Sequence, residues 1–214
     1  MIKHIIFLYI AMVILNGCAE EMKPISVSVD TTETPHLSQW GNDAQQLLLK
    51  WVPLTSQIFD DYNFPLSIEL KIQNSEEGIA YADSNKIVVS SHWIEKYPQD
   101  IGLVVHEGVH VVQAYPNFEP GWLTEGIADY IRWSLFEEKP QTWFPKGDEV
   151  KGYEAAYQTT GGFLLWLTDN HNKNIVKTLH HAMKINAYDD DIFKRETGFS
   201  VDTLWTMYWQ FRNK

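Results

Sequence analysis

Residues 106–129 of the chain read HEGVHVVQAYPNFEPGWLTEGIAD. This stretch contains an HExxH motif, and an ExxxD pair begins fifteen positions after the second histidine. Two imidazoles four residues apart can share a metal ion on a helix, where they stand roughly 6 Å apart along the axis. On a strand the same spacing is about 13 Å, too far for two Zn–N bonds of about 2.0–2.1 Å each. The motif therefore predicts a helix that carries His106 and His110 on one face.

The residues around the motif present a choice between strand and helix. Five of them are valines, whose β-branched side chains favour strands by propensity alone. The apolar positions nevertheless recur at the spacing of a helical stripe opposite the histidines; they are 101, 104, 105, 108, 111, 112 and 115. We therefore expect a buried helix over residues 99–114. Gly108 in its middle costs about 1 kcal/mol relative to alanine, which suggests that another element approaches closely there.

A catalytic zinc site needs a third protein ligand besides the two histidines. Glu125 can supply this ligand from a second helix, which begins at about Pro120 or Gly121 and continues through WLTEGIADYIRWSLF. Asp129 lies one turn further along the same face, where it could accept the free ring N–H of His106 and so orient that ligand.

Other ligand sets are possible to different degrees. Asp129 remains an alternative third ligand, with Glu125 then structural. Glu119 is less suitable because it lies in the PNFEP turn. The extended motif HExxHxxGxxH is excluded, because Gln113 and Pro116 occupy the positions of its glycine and third histidine.

The rest of the chain predicts an α+β fold. Apolar positions at helical spacing indicate a first helix over residues 38–59, and alternation predicts a strand in PLSIELKI and two strands joined by a turn in residues 78–91. Further helices are expected at about 154–169, 173–186, 189–196 and 200–211, the last with Ser200 as N-cap. The loop 137–152 should border the cleft, where Trp143 and Phe144 either contact substrate or fold back onto the core.

The N-terminal segment indicates export. An eleven-residue apolar run from Ile5 to Leu15 is too short to span a bilayer but suits a signal peptide over residues 1–17. Leu15-Asn16-Gly17-Cys18 resembles a bacterial lipobox, in which Cys18 becomes lipidated; an ordinary secretion signal is the alternative. We expect residues 18–36 to be the lipidated cysteine and a flexible tether, residues 37–214 to form the catalytic domain, and the protein to lie in the bacterial cell envelope, on the periplasmic face or at the outer membrane.

Composition limits the partners. The formal net charge of −11 argues against a nucleic-acid partner. Aromatic residues at 14% and hydrophobic residues at 44% are sufficient for one packed core. Cys18 is the only cysteine, so the sequence contains neither a disulfide framework nor a cysteine ligand for zinc.

Four segments resemble the basic secretory protein family of plant and bacterial zinc peptidases, which belongs with the gluzincins. They are HEGVHVVQ, EGIADYIRW, YQTTGGFLLWL and VDTLWTMYW, and the likeness extends over about residues 36–214. The resemblance implies a zincin-like, thermolysin-like catalytic core: a small N-terminal mixed sheet packed on the HExxH helix, followed by a mainly helical C-terminal part. It also implies one zinc ion bound by His106, His110 and Glu125. Family members usually carry arginine where this chain has Gly162.

The expected activity is hydrolysis of peptide bonds in a peptide or protein substrate. Zinc would activate a water molecule, and Glu107, beside His106 on the helix, would take its proton as general base. Tyr157, in the segment resembling the family's GYxxTARFL, is the candidate oxyanion donor, unless it simply packs between helices; Tyr153 is a weaker candidate. By resemblance, one of the predicted strands should pair with extended substrate.

Two other functions share these residues. The first is a catalytically silent surface lipoprotein that retains the fold and binds peptides or glycans. The second is a zinc hydrolase that acts on a non-peptide amide or ester. The intact Glu107 favours an enzyme, because a purely structural metal site does not need a carboxylate beside the metal.

Overall fold

The computed structural model describes residues 24–214. The predicted signal peptide and the predicted lipidation site, Cys18, lie outside the described residues. Within residues 24–214, no helix combines the length and apolar character that crossing a membrane requires.

The described chain contains a four-stranded mixed sheet and eight α-helices, which confirms the α+β prediction. The strands are β1 (Ser26–Asp30), β2 (Ser67–Gln73), β3 (Ala80–Asp83) and β4 (Lys86–Ser90). The helices are α1 (Ser38–Phe59), α2 (Ser91–Lys96), α3 (Leu103–Gln113), α4 (Gly121–Asp129), α5 (Tyr157–Asn170), α6 (Ile175–Lys184), α7 (Asp191–Thr197) and α8 (Val201–Arg212). A π-helical segment, Tyr130–Phe136, follows α4 directly, and short 3₁₀ turns occur at Pro35–Leu37, Gln141–Trp143 and Gly152–Ala155.

The sheet has the strand order β1-β2-β4-β3. β1 and β2 are parallel and are joined by α1, while β2 and β4 are also parallel. β3 is antiparallel to β4, with Tyr81 opposite Val88, and forms the edge of the sheet. β3 also packs alongside α3, so this edge is the part of the sheet nearest to the HExxH helix.

The prediction of a flexible tether over residues 18–36 is wrong for Ser26–Asp30. These five residues form β1, which pairs with β2 so that Val27 lies opposite Ile68. Val27 is buried whereas Ser26 and Ser28 are exposed, an alternation that suits a half-buried strand. The pattern is short and lies in a polar stretch, which is why it reads as unstructured in isolation.

The core is built where α1 packs against both the sheet and α3. One face of β2, with Ile68, Leu70 and Ile72, is fully buried beneath α1. An added Cβ at Gly108 would lie 3.0 Å from Leu48 Cδ2 and 3.1 Å from Val52 Cγ2 of α1. The absence of a side chain at Gly108 therefore allows the close approach that the sequence predicted.

The two helices that carry the motif differ in extent from the prediction. α3 begins at Leu103 rather than at residue 99, because residues 99–102 form a turn in which the Asp100 carboxylate accepts a hydrogen bond from Trp93 Nε1 at 2.9 Å. α4 begins at Gly121, as predicted, but the chain winds as a π-helix after Asp129. The Glu137 amide accordingly donates to the Arg132 carbonyl at 2.9 Å, five residues earlier.

The C-terminal half is a helical layer with an aromatic core. Phe163 of α5 packs between Trp205 and Tyr208 of α8, at ring-centroid distances of 5.3 and 5.6 Å. Ser200 caps α8 by accepting a hydrogen bond from the Thr203 amide, as predicted. This layer supports α5, which in turn packs against α4.

Candidate metal centre

Three side chains of the motif converge where α3 meets α4. His106 and His110 project from the same face of α3, and their Nε2 atoms are 3.1 Å apart. One Glu125 oxygen, Oε2, lies 3.0 Å from the first of these nitrogens and 3.5 Å from the second. The three atoms thus form a nearly equilateral triangle, and among the described residues this is the group suited to holding a metal ion.

The size of this triangle fits a zinc ion. Ligand atoms about 2.0–2.1 Å from a tetrahedral ion are about 3.3 Å from one another. The observed separations of 3.0, 3.1 and 3.5 Å bracket that value. Two imidazoles and one carboxylate are also a donor set that zinc prefers, and they leave a fourth position for water.

Asp129 lies behind this triangle. Its Oδ1 is 2.7 Å from Nδ1 of His106, and the carboxylate is buried. A carboxylate in this position accepts the Nδ1–H and leaves the lone pair of His106 Nε2 directed at the triangle. This arrangement supports Glu125 rather than Asp129 as third ligand. Glu119 is exposed and accepts from the Gly121 amide at 2.9 Å.

The partner of His110 is a residue to which sequence reasoning gave no role. Gln113 Oε1 is 2.6 Å from Nδ1 of His110, and Gln113 Nε2 donates to the Thr124 carbonyl of α4 at 3.0 Å. The available signal was the three-residue spacing on one helix, which brings the two side chains to the same face. The second contact crosses between helices and has no signature in the sequence.

Negative charge dominates the site. Burial lowers the pKa of His106, but its hydrogen bonds with Asp129 and Glu125 outweigh burial and raise the pKa to about 10. Burial raises the pKa of Glu125, yet its hydrogen bonds with His106 and His110 hold it at about 2. The site therefore favours a cation between its carboxylates, which a metal ion would satisfy in place of a proton.

Glu107 lies next to the two histidines but does not contribute an atom to the triangle. Its side chain is only 7% exposed, and this burial raises the pKa of its carboxyl, while the nearby His106 and His110 act in the opposite direction. A buried carboxylate with a raised pKa beside the reacting groups is suited to proton transfer near neutral pH.

Tyr157 lies at the start of α5 with its ring over that of His106. The ring centroids are 6.3 Å apart with an interplanar angle of 17°, and the residue is 54% exposed. Tyr157 is therefore more than half exposed beside His106, and the alternative of a buried tyrosine packed between helices is wrong. Burial of part of the side chain, followed by the charge of Glu125, raises the pKa of Tyr157, so that the phenol stays protonated and can donate.

Tyr153 does not share this position. It is buried, and its hydroxyl donates to Asp202 of α8 at 2.8 Å. The weaker of the two tyrosine candidates is thus engaged in the helical layer, away from the triangle.

The two aromatic residues of the loop 137–152, Trp143 and Phe144, have different environments. Phe144 is 2% exposed and packs on Gly162, so it folds back onto the core instead of facing substrate. Trp143 is 40% exposed and lies against Trp133. An added Cβ at Gly162 would lie 2.6 Å from Phe144 Cβ. An arginine at this position would therefore require a different course for residues 141–144.

Comparison with known proteins identifies the family. The model of a family described as peptidase of plants and bacteria matches residues 66–208. A search of curated proteins found no match. The matched stretch covers more than half of the chain and includes α3, α4 and α5 with every residue of the triangle. The chain therefore belongs to the basic secretory protein family, the peptidases of plants and bacteria.

Proposed function

We propose that the protein is a zinc-dependent peptidase of the gluzincin type, with His106, His110 and Glu125 as ligands of one zinc ion. The observation that carries this proposal is the triangle of donor atoms, with sides of 3.0, 3.1 and 3.5 Å. Membership of a peptidase family supports the reaction, and the buried Glu107 beside the triangle supports catalysis over silent binding.

Three side chains of the protein would have separate roles in peptide hydrolysis. When bound, zinc lowers the pKa of a water molecule and polarises the scissile carbonyl. Glu107 takes the proton of the attacking water and passes it to the leaving amine. Tyr157 donates its phenolic hydrogen to the oxygen that develops negative charge. Asp129 keeps His106 oriented throughout.

The sheet edge offers a binding surface for an extended substrate. β3 is short and lies beside α3 at the edge of the sheet, so that no strand of residues 24–214 pairs with its outer side. A peptide that adds to this edge would gain main-chain hydrogen bonds, while side-chain pockets would select its sequence. We therefore assign substrate alignment to Ala80–Asp83.

A lipid anchor on Cys18 would place this activity in the bacterial cell envelope. The support is the LNGC sequence at residues 15–18 after an apolar run. Substrates would then be peptides or proteins outside the cytoplasm. Mass spectrometry of the membrane-bound protein would show the acyl chains on Cys18, whereas an unmodified or absent cysteine would contradict the anchor.

Replacing Glu107 with glutamine tests the proposed reaction. We expect E107Q to bind zinc like the wild type but to hydrolyse a mixed peptide library more slowly by about 10² to 10⁴, the usual contribution of a general base. The matched control is Glu196→Gln, an exposed change on α7 that should leave hydrolysis intact.

The same assay separates the competing functions. A chelator should abolish hydrolysis by the wild type, and added zinc should restore it. Bound zinc without cleavage of any library peptide would favour a silent binding protein. Full activity of E107Q would rule out the general-base mechanism.

A further inference from the structure

Gln113 is the last residue of α3 and follows His110 by three positions. The residue is 2% exposed, and its side chain contacts both His110 and the backbone of α4. Oε1 lies 2.6 Å from His110 Nδ1, and Nε2 donates to the Thr124 carbonyl at 3.0 Å. We infer that Gln113 is a positioning residue that fixes the tautomer of His110; this inference rests on the proposed function.

The second contact determines which way the Gln113 amide points. A main-chain carbonyl can only accept a hydrogen bond, so the group facing Thr124 O must be the NH₂ of the amide. The opposite orientation would place two oxygens 3.0 Å apart inside the protein. The amide oxygen must therefore face His110.

The orientation of the amide in turn determines the protonation of the ring. An amide oxygen is an acceptor only, so His110 Nδ1 must carry the hydrogen of this 2.6 Å contact. A neutral imidazole with hydrogen on Nδ1 has its lone pair on Nε2. This is the atom that lies 3.1 Å from His106 Nε2 in the triangle.

Gln113 also ties the two ligand helices together. Thr124, whose carbonyl accepts from Gln113, immediately precedes Glu125 on α4. One buried side chain thus connects His110 of α3 with the backbone beside the third ligand. His106 has a charged partner in Asp129, whereas His110 has a neutral one, so Gln113 orients its histidine without adding charge to the site.

The test compares wild type, Gln113→Leu and Gln113→Glu by nitrogen NMR of ¹⁵N-histidine-labelled, metal-free protein at alkaline pH. In the wild type we expect the His110 hydrogen on Nδ1. Q113L lacks the acceptor and should shift the hydrogen toward Nε2, while Q113E keeps an acceptor and should keep the wild-type tautomer. Both variants lose the bond to Thr124, so a merely structural role predicts the same result for both.

Zinc affinity, measured with zinc alone against a competing chelator, gives the second readout. Q113L should bind zinc about 10 to 100-fold more weakly than the wild type, the usual effect of losing such a partner. Q113E should bind more tightly than Q113L. As a control, Gln141→Leu removes a glutamine that donates to the Gly162 carbonyl and should leave zinc affinity unchanged.

Several outcomes would overturn the role of Gln113. One is a wild-type protein in which the hydrogen of His110 is on Nε2. This result does not depend on whether either variant folds. Another is a folded Q113L with the wild-type tautomer and affinity. If the wild type bound no zinc, the proposed function would fail, whereas the tautomer of the metal-free protein would still support or overturn the inference.

Discussion

Tyr157 has two properties that suit an oxyanion donor, a position beside His106 and an exposed side chain. Its ring lies over the His106 ring and the side chain is 54% exposed. Ala156 and Tyr157 both have positive φ, at 60° and 47°, a conformation that costs non-glycine residues of order 1–3 kcal/mol each. The fold thus holds this tyrosine in place at a local energetic cost.

Replacing Tyr157 with phenylalanine removes only the hydroxyl. We expect kcat to fall about 10² to 10³-fold, as for loss of one oxyanion donor, with KM and zinc content nearly unchanged. Thermal stability should change little because Tyr157 is more than half exposed. Steady-state kinetics would measure the effect, with Tyr62→Phe as a control at another exposed tyrosine. An unaltered kcat would remove Tyr157 from the mechanism.

The position of Glu125 depends on how closely α4 approaches α5. Gly126, the next residue, lies against Thr160 of α5, where an added Cβ would be 2.2 Å from Cγ2 and 2.6 Å from Cβ of the threonine. Thr160 cannot rotate away freely, because it is fully buried and its hydroxyl donates to the Tyr153 carbonyl at 2.6 Å. The contact therefore fixes the separation of the two helices.

The Gly126→Ala variant should destabilise the protein. Alanine gains about 1 kcal/mol over glycine as a helix former. We expect the clash with Thr160 to outweigh this gain, with a net loss of roughly 1–3 kcal/mol in the free energy of unfolding. Urea unfolding would measure it, and adding Thr160→Ser, which removes Cγ2, should restore part of the loss. A G126A protein more stable than the wild type would contradict the close contact.

α6 is joined to the first half of the chain by a buried polar network. His180 is fully buried, with Nε2 2.9 Å from Asp61 and Nδ1 3.1 Å from the Tyr115 hydroxyl. Lys184 donates to the Val112 carbonyl of α3 at 2.8 Å and pairs with Asp61 at 3.1 Å. Burial lowers the pKa of His180 to about 4, against the partial opposition of Asp61.

This low pKa predicts a loss of stability in acid. The unfolded chain protonates His180 near pH 6.5, whereas the folded chain resists until about pH 4. Above pH 6.5 this group therefore does not oppose folding. Between pH 6.5 and 4 the free energy of unfolding falls by on the order of 3 kcal/mol. Compared by urea unfolding of the metal-free protein, His180→Gln should be less stable at pH 7 but show a smaller decline. Parallel declines in both proteins would refute the assignment to His180.

The candidate site lies at the boundary between the two layers of the described fold. α3 belongs to the layer of the sheet and α1, while α4 and α5 belong to the helical layer. The histidines come from the first layer, and Glu125, Asp129 and Tyr157 come from the second. Correct docking of the two layers is therefore a condition for bringing His106, His110 and Glu125 together.

Sequence patterns predict the parts of this architecture that depend on local periodicity. The first helix, residues 38–59, has the predicted bounds because its apolar positions repeat over six turns. The helical spacing of His106 and His110, and of Glu125 and Asp129, also places these pairs as predicted.

The features that sequence patterns miss depend on contacts between distant residues. β1 is recognisable only through its pairing with β2, because five alternating residues in a polar stretch carry little information. Phe144 is buried because Gly162, eighteen residues later, leaves space for it. The link from Gln113 to Thr124 likewise exists only after α3 and α4 have packed.

We propose that this fold assembles one zinc site from α3 and α4. The most direct test is a crystal structure of the zinc-loaded protein, with anomalous diffraction recorded above and below the zinc absorption edge. We expect a single peak at the triangle, about 2.0–2.2 Å from His106 Nε2, His110 Nε2 and a Glu125 oxygen. The absence of a peak there, or a zinc ion bound by Asp129 in place of Glu125, would contradict the proposed zinc site.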